Sequence, residues 1–224
     1  MTHYLENPAA IDEWLEKYPN DMEEALRRIN AGRPDFLYCL YSYCFYLLPD
    51  SPIVVEVGTQ WAESTVFMGR ALKKKGGHLY SMDPAFKPGG IFYADAGQSG
   101  GHMEVSLERV QGFIDGNGLH DVVTLIPDYS ESVLSTWTTP IDAVHIDGQH
   151  TYDAVKIDCG WLEHVKSGGY AIFDDWIDVV QNSTKDYMAD KPEWRLIHAS
   201  TSARRDYYAV TIFQKDGNLP VVDQ

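Results

Sequence analysis

Three carboxylates stand at the ends of two short apolar runs: Asp147 follows Ile141 to Ile146, and Asp174 and Asp175 follow Tyr170 to Phe173. The stretch from 141 to 176 reads IDAVHIDGQHTYDAVKIDCGWLEHVKSGGYAIFDDW. Read as strand, helix, strand, it gives two parallel strands joined by a right-handed crossover, whose carboxyl ends open on one edge of a sheet. Ligands bind at that edge in α/β folds. Three close carboxylates repel, so they need protons, a basic partner or a cation. Neither Lys156 nor Lys166 is placed to serve, and a hard divalent cation such as Mg2+ suits oxygen ligands. The alternative is that Asp174 or Asp175 caps a helix starting near Trp176 while Asp147 only makes a turn with Gly148.

A second constellation lies upstream. The β-branched run Ile53 to Val57, interrupted only by Glu56, reads as a central parallel strand. It leaves through Glu56-Val-Gly58-Thr59-Gln-Trp-Ala62-Glu63-Ser64-Thr65 into a helix ending near Lys75. Gly58 permits a tight turn, and the helix N-terminus offers amides to an anion. A dinucleotide site would need further glycines where the pyrophosphate passes. Larger residues stand there, so the turn suits a cofactor without a pyrophosphate, such as S-adenosylmethionine. The next strand, His78 to Met82, ends on Asp83, placed to accept both hydroxyls of a ribose, although Asp83-Pro84 could be only a turn. A third strand, Val122 to Ile126, exits at Asp128-Tyr129-Ser130, where a small polar side chain could meet an adenine edge.

The remaining segments must position these groups. Pro8 to Ile29 reads as one or two polar helices, and Phe36 to Leu48 as an unusually aromatic helix. That helix packs on the sheet, forms a surface for self-association, or walls a substrate pocket with its tyrosines. Lys166-Ser-Gly-Gly169 looks like the basic last turn and glycine stop of the crossover helix. Pro84 to His102 is long, glycine-rich and aperiodic, with Phe86, Phe92 and Tyr93 to close over a ligand, and is expected to be a lid. Met103 to Ile114 reads as a helix, as does Trp176 to Ala189. Trp194 to Ala199 and Tyr207 to Gln214 follow as a terminal strand pair, joined through Arg204 and Arg205.

The net charge of −15 argues against a nucleic-acid or anionic-membrane partner, since phosphate binding rests on Lys and Arg. A small molecule is the expected partner. No apolar run approaches a membrane span and the N-terminus lacks a signal pattern, so the expected location is the cytoplasm. Cys39, Cys44 and Cys159 have neither zinc nor disulfide spacing and are expected to be buried free thiols.

Taken together, VVEVGTQWAEST, YSMDP and the 141 to 176 stretch resemble class I S-adenosylmethionine-dependent methyltransferases. More narrowly, the chain is similar to the small metal-dependent O-methyltransferases grouped with macrocin, rhamnosyl and cephalosporin-hydroxylase-like proteins of natural-product pathways. The resemblance spans about Ile53 to Gln214, and IDGxHxY followed by GGYxxxDD is its most specific part. It implies an α/β, Rossmann-like fold: a mostly parallel seven-stranded sheet with a reversed last strand and helices on both faces. It also implies that Asp147, Asp174 and Asp175 bind Mg2+. His150 matches the family histidine, either as general base for a substrate hydroxyl or as a residue orienting a metal ligand; a structural histidine at a helix start is the plainer reading. Two departures stand out: Trp61-Ala62-Glu63 replaces the glycine-rich turn, and Gln149 replaces the family's second acidic residue.

The expectation is a helical cap over residues 1–50 and one cofactor-binding domain over 51–224. S-adenosylmethionine would meet Glu56, Gly58, Thr59, Ser64, Asp83, Asp128, Ser130 and Asp147, with Asp147 and His150 as catalytic candidates. The expected reaction is Mg2+-assisted methylation of a hydroxyl on a sugar or other small secondary metabolite. An iron-dependent hydroxylase on the same scaffold is one rival, although iron sites usually combine two histidines with one carboxylate. A non-catalytic cofactor-binding subunit, docking through the aromatic helix, is the other.

Overall fold

The computed structural model describes residues 36–88, 106–199 and 210–216. Seven strands form one sheet: β1 (Ile53–Val57), β2 (His78–Met82), β3 (Val123–Ile126), β4 (Ile141–Ile146), β5 (Val165–Phe173), β6 (Trp194–Ala199) and β7 (Thr211–Lys215). Their spatial order is β3-β2-β1-β4-β5-β7-β6. The first five run parallel, β7 is antiparallel to β5, and β6 is antiparallel to β7. This is the Rossmann-like sheet with its reversed strand that the resemblance implies. The order reverses at β1, which lies between β2 and β4, so the crevice for a ligand opens beyond the carboxyl ends of β1 and β4.

Alternation along the strands divides the core in two. Val54, Leu79, Val123 and Ala143 face helices α1 (Phe36–Tyr46), α2 (Glu63–Lys75) and α3 (Leu107–Gly116). Val55, Val57, Val144 and Ile146 face the other layer. That layer holds α5 (Tyr152–Asp158), which follows the short α4 (Ser130–Leu134), and α6 (Asp178–Met188). On the α1 face, Tyr41, Tyr43 and Leu40 are buried against α2, so the aromatic helix packs on the fold, the first of its expected roles. The cysteines are free and buried.

Two expectations about the crossover are corrected. The α-helix ends at Asp158 and tightens into a 3-10 segment, Cys159–His164, while Lys166 to Gly169 belongs to β5 instead of stopping a helix. Between Ile141 and Ala143 on β4, β5 passes from Val165 to Tyr170, so Lys166 to Gly169 bulge from the ladder. Lys166 Nζ folds back on both oxygens of Asp142 at 2.9 Å, and Gly168 takes φ 81°. The helix expected from Trp176 starts at Asp178, with Ile177 as N-cap and no side-chain cap. Asp174 and Asp175 are therefore not its capping residues.

Residues 8–29, most of the expected lid (89–102), the start of the helix at 103 and the terminal hairpin tip with Arg204 and Arg205 lie outside the described residues. Among the described residues, no helix is long and apolar enough to cross a membrane.

Candidate active site

The first wall of the crevice is the turn after β1. Gly58 takes φ 97°, and a Cβ there would be driven into the backbone carbonyl of Asp147, so only glycine fits. Gln60 (φ 44°) and Ala62 (φ 63°) are also left-handed, and Ala62 is the N-cap residue of α2. The glycine-rich turn of the resemblance thus keeps a left-handed path without its glycines. Asp83, at the end of β2, ties the turn down: its Oδ2 accepts from Gln60 N at 2.8 Å and its Oδ1 from Ala85 N at 2.8 Å. Burial pushes its carboxyl above the usual range, and those amides pull it back. The Thr59 amide bonds the same carboxylate.

Glu56 and Ser64 are placed otherwise than expected. Both are buried behind the turn, where Glu56 Oε1 accepts from Ser64 Oγ at 2.5 Å and Oε2 accepts from Thr65 Oγ1 and Ser81 Oγ, each at 2.6 Å. Glu56 shares strand parity with Val54, so its side chain turns into the α2 layer and not toward the crevice. Thr59 joins the same interior group through its hydroxyl, 2.6 Å from Ser81 Oγ. Ser130 is corrected too. Its hydroxyl accepts from Trp161 Nε1 at 2.9 Å and bonds Asp158, so it does not turn to an adenine edge. Asp128 Oδ1 meets Lys87 Nζ at 2.6 Å and its own chain at Tyr129 N, and the lysine bond holds its carboxyl below the usual range. Tyr129 is the side chain this turn leaves half exposed, with Lys87 Nζ 5.3 Å from its ring.

The second wall carries the expected acidic group. Asp147 N bonds Val57 O at 2.9 Å and Asp174 N bonds Ile146 O at 3.1 Å, so the ladder carries both residues just past the strand ends. His150 lies between two carboxylates, Nε2 at 3.5 Å from Asp147 Oδ1 and Nδ1 at 3.6 Å from Asp175 Oδ2. Asp175 takes φ 46°, a strained value for a non-glycine residue. Asp174 is 6% exposed, and its Oδ1 has no hydrogen-bond partner among the described residues. Burial, reinforced by Asp147 and Asp175, raises its carboxyl well above the usual range. Beneath the loop, burial pushes Asp158 up to about 7. A Cβ at Gly148 would lie 2.9 Å from Asp158 Oδ2, which keeps that position small.

Among the described residues, no three His, Cys, Asp or Glu side chains already converge as metal ligands. Mg2+ does not require such a cage, because it keeps several waters and is commonly held by one or two carboxylates. The unsatisfied Asp174 oxygen, beside Asp147 and Asp175, is the kind of donor such an ion fills, so the residues fit a hydrated divalent cation.

Sequence reasoning passed over His145, Ser81, Asp158 and Lys87. Two left a signal: Ser81 and His145 stand two residues before Asp83 and Asp147, hence on the same strand faces.

Structural likeness agrees with this architecture. The chain superposes on the O-methyltransferase NovP with a TM-score of 0.58 at 20% identity, covering 81% of this chain and 78% of that one. It superposes on the O-methyltransferase TomG from Streptomyces achromogenes, solved with S-adenosylmethionine, with a TM-score of 0.58 at 15% identity, covering 93% and 96%. A rRNA methylase from Streptococcus thermophilus gives 0.59 at 14% identity, covering 82% and 96%. At these identities the likeness establishes the fold. Residues 55–176, which hold the β1 turn, Asp83 and all three clustered carboxylates, match the model of a methyltransferase domain family, and the chain belongs to that family.

Proposed function

We propose that the protein is an S-adenosylmethionine-dependent O-methyltransferase acting on a hydroxyl of a small molecule, a sugar or other secondary metabolite, with a divalent cation at the acceptor side. The observation that carries this reading is the pairing of two unlike walls on one crevice. One is the β1 turn with Asp83, suited to a nucleoside. The other is His150 set between Asp147 and Asp175, suited to a polar acceptor.

The nucleoside ribose would sit on Asp83, and the methionine end would run toward the N-terminus of α2. Asp147, Asp174 and Asp175 would hold Mg2+, which when bound supplies positive charge that makes the acceptor hydroxyl more acidic. His150 accepts the hydroxyl proton. The acceptor oxygen then forms its bond to the methyl carbon as the carbon–sulfur bond breaks, leaving S-adenosylhomocysteine. The carboxylates on either side fix the imidazole ring and stabilise the charge it takes up. Most of the rate gain in such a step comes from holding oxygen and methyl in line. Three carboxylates at one edge favour Mg2+ over the two-histidine iron set of a hydroxylase.

The test is incubation of the purified protein with methyl-labelled S-adenosylmethionine and Mg2+, against glycosides, small phenols and alcohols, and an rRNA fragment. Label on a hydroxyl, lost in EDTA and in His150→Ala, supports the reading. Transfer to RNA alone, or full turnover in EDTA, overturns the acceptor class or the cation respectively.

A further inference from the structure

Glu56 lies at the centre of the three strands whose ends build the crevice. Its neighbours in register are Ser81 on β2 and His145 on β4. Two residues further along each strand, on the same face, come Gly58, Asp83 and Asp147. The Glu56 carboxyl binds both of its register neighbours, Ser81 Oγ at 2.6 Å and His145 Nδ1 at 3.3 Å, and it also binds Ser64 and Thr65 in the first turn of α2. Glu56 and His145 show no exposure, and Ser64, Thr65 and Ser81 are buried. A carboxyl group this deep is costly unless its lone pairs are filled, and here several donors from separate elements fill them.

We propose that Glu56 is a positioning residue that locks the cofactor turn to the acceptor edge, with Ser64, Thr65, Ser81 and His145 as its arms. Through Ser64 and Thr65 it fixes where α2 begins, and so the amides offered to the cofactor. Through Ser81 it sets the strand end that delivers Asp83. Through His145 it sets the end of β4, where Gly58 already touches the Asp147 carbonyl. The cofactor and acceptor walls are thereby held at one spacing by a single buried group that touches neither ligand.

This inference rests on the cofactor assigned above, and the experiment separates the two. S-adenosylhomocysteine affinity is measured by calorimetry for the full chain and for Thr65→Val and Thr65→Ser, with thermal melting to confirm folding. Binding by the wild-type chain is the premise, and its absence overturns the cofactor reading and this inference with it. Thr65→Val keeps the side-chain shape but loses the hydroxyl donated to Glu56, and should weaken binding about tenfold. Thr65→Ser keeps the hydroxyl and should bind like wild type. A packing role would give the reverse order, because Ser loses the methyl group that Val retains. Amide exchange supplies the second readout. S-adenosylhomocysteine should protect the segments around Gly58 and Asp147 together in wild type and protect only the first in folded His145→Phe, which keeps a ring but loses the nitrogen that meets Glu56. Equal affinity for Thr65→Val and wild type, or undiminished protection at Asp147 in folded His145→Phe, overturns the proposal.

Discussion

The two walls of the crevice are built on opposite principles. On the cofactor side nearly every polar group is already engaged: Asp83 accepts two backbone amides, and Glu56 is surrounded by hydroxyls. On the acceptor side Asp147, Asp174 and Asp175 crowd one another, and a buried Asp174 oxygen lacks a hydrogen bond among the described residues. The first wall is organised before its ligand arrives. The second crowds carboxylates whose repulsion a proton or a cation relieves. A rigid half and an electrostatically frustrated half therefore meet at Gly58 and Asp147, which touch.

The largest effect should come from removing the anchor of the organised wall. Asp83→Ala deletes the proposed acceptor for two ribose hydroxyls and unties Gln60, and hydrogen bonds to a charged group are worth about 1.5 to 3 kcal/mol each. Calorimetry should show S-adenosylmethionine binding weakened more than about tenfold. If affinity is unchanged, that wall is organised for something other than the nucleoside.

Next in size is the response of the frustrated wall to a cation. Mg2+ should raise the melting temperature of the wild-type chain, and Asp174→Asn should abolish that rise while stabilising the metal-free protein at neutral pH. The sign follows from the protons. The folded carboxyl holds its proton to higher pH than the unfolded one, so this residue costs stability increasingly as pH rises above the ordinary carboxylate value of 3.8. An Asn variant no more stable than wild type without metal would show that the acidic cluster is not strained.

Asp158 sharpens the contrast, because it is buried beneath the same wall yet bonded by Ser130. With its carboxyl raised from 3.8 to about 7, the folded state keeps a proton that the unfolded chain has released between those values, and stability falls as pH rises through that window. Asp158→Asn should therefore be stabilised by about 1 to 2 kcal/mol at pH 8, a gain that shrinks as the pH approaches about 4. Thermal melts across that range measure it. A gain that does not vary with pH would point to packing in place of charge.

The smallest expected effect is in the β1 turn. Left-handed backbone costs a non-glycine residue roughly 1 to 2 kcal/mol, partly offset by the chain entropy that glycine adds. Gln60→Gly should raise stability by about 0.5 kcal/mol, read as a small shift in denaturant midpoint. A loss would mean that the Gln60 side chain contributes to the organised wall.

The elements that place these groups were legible because their signals are local. Ile53–Val57, His78–Met82 and Ile141–Ile146 are apolar runs ending on turn residues, and the strands form at those limits. The placement of Asp83, Asp147, Asp174 and Asp175 was legible because acidic residues at strand ends share an edge once the strands are parallel. The bulge at Lys166 to Gly169 was not legible, since it depends on a partner strand that spends fewer residues over the same span. Nor was the inward turn of Glu56 and Ser64, which needed strand parity and the position of α2 together. Ser130 misled for a related reason: a small hydroxyl at a turn looks available until Trp161 and Asp158, about thirty residues on, are known to meet it.

The shape of the β1 turn also bears on how freely this protein can vary. Glycine ordinarily answers two demands in such a turn, room for a neighbour and access to left-handed backbone. Here Gly58 meets both, since it takes φ 97° and the Asp147 carbonyl occupies the place of any side chain. At Gln60 and Ala62 the limit is conformation alone, and the chain already tolerates it. Saturation mutagenesis should find position 58 closed to every substitution and position 60 open to many, so diversification of this cofactor turn has one fixed point and a permissive flank.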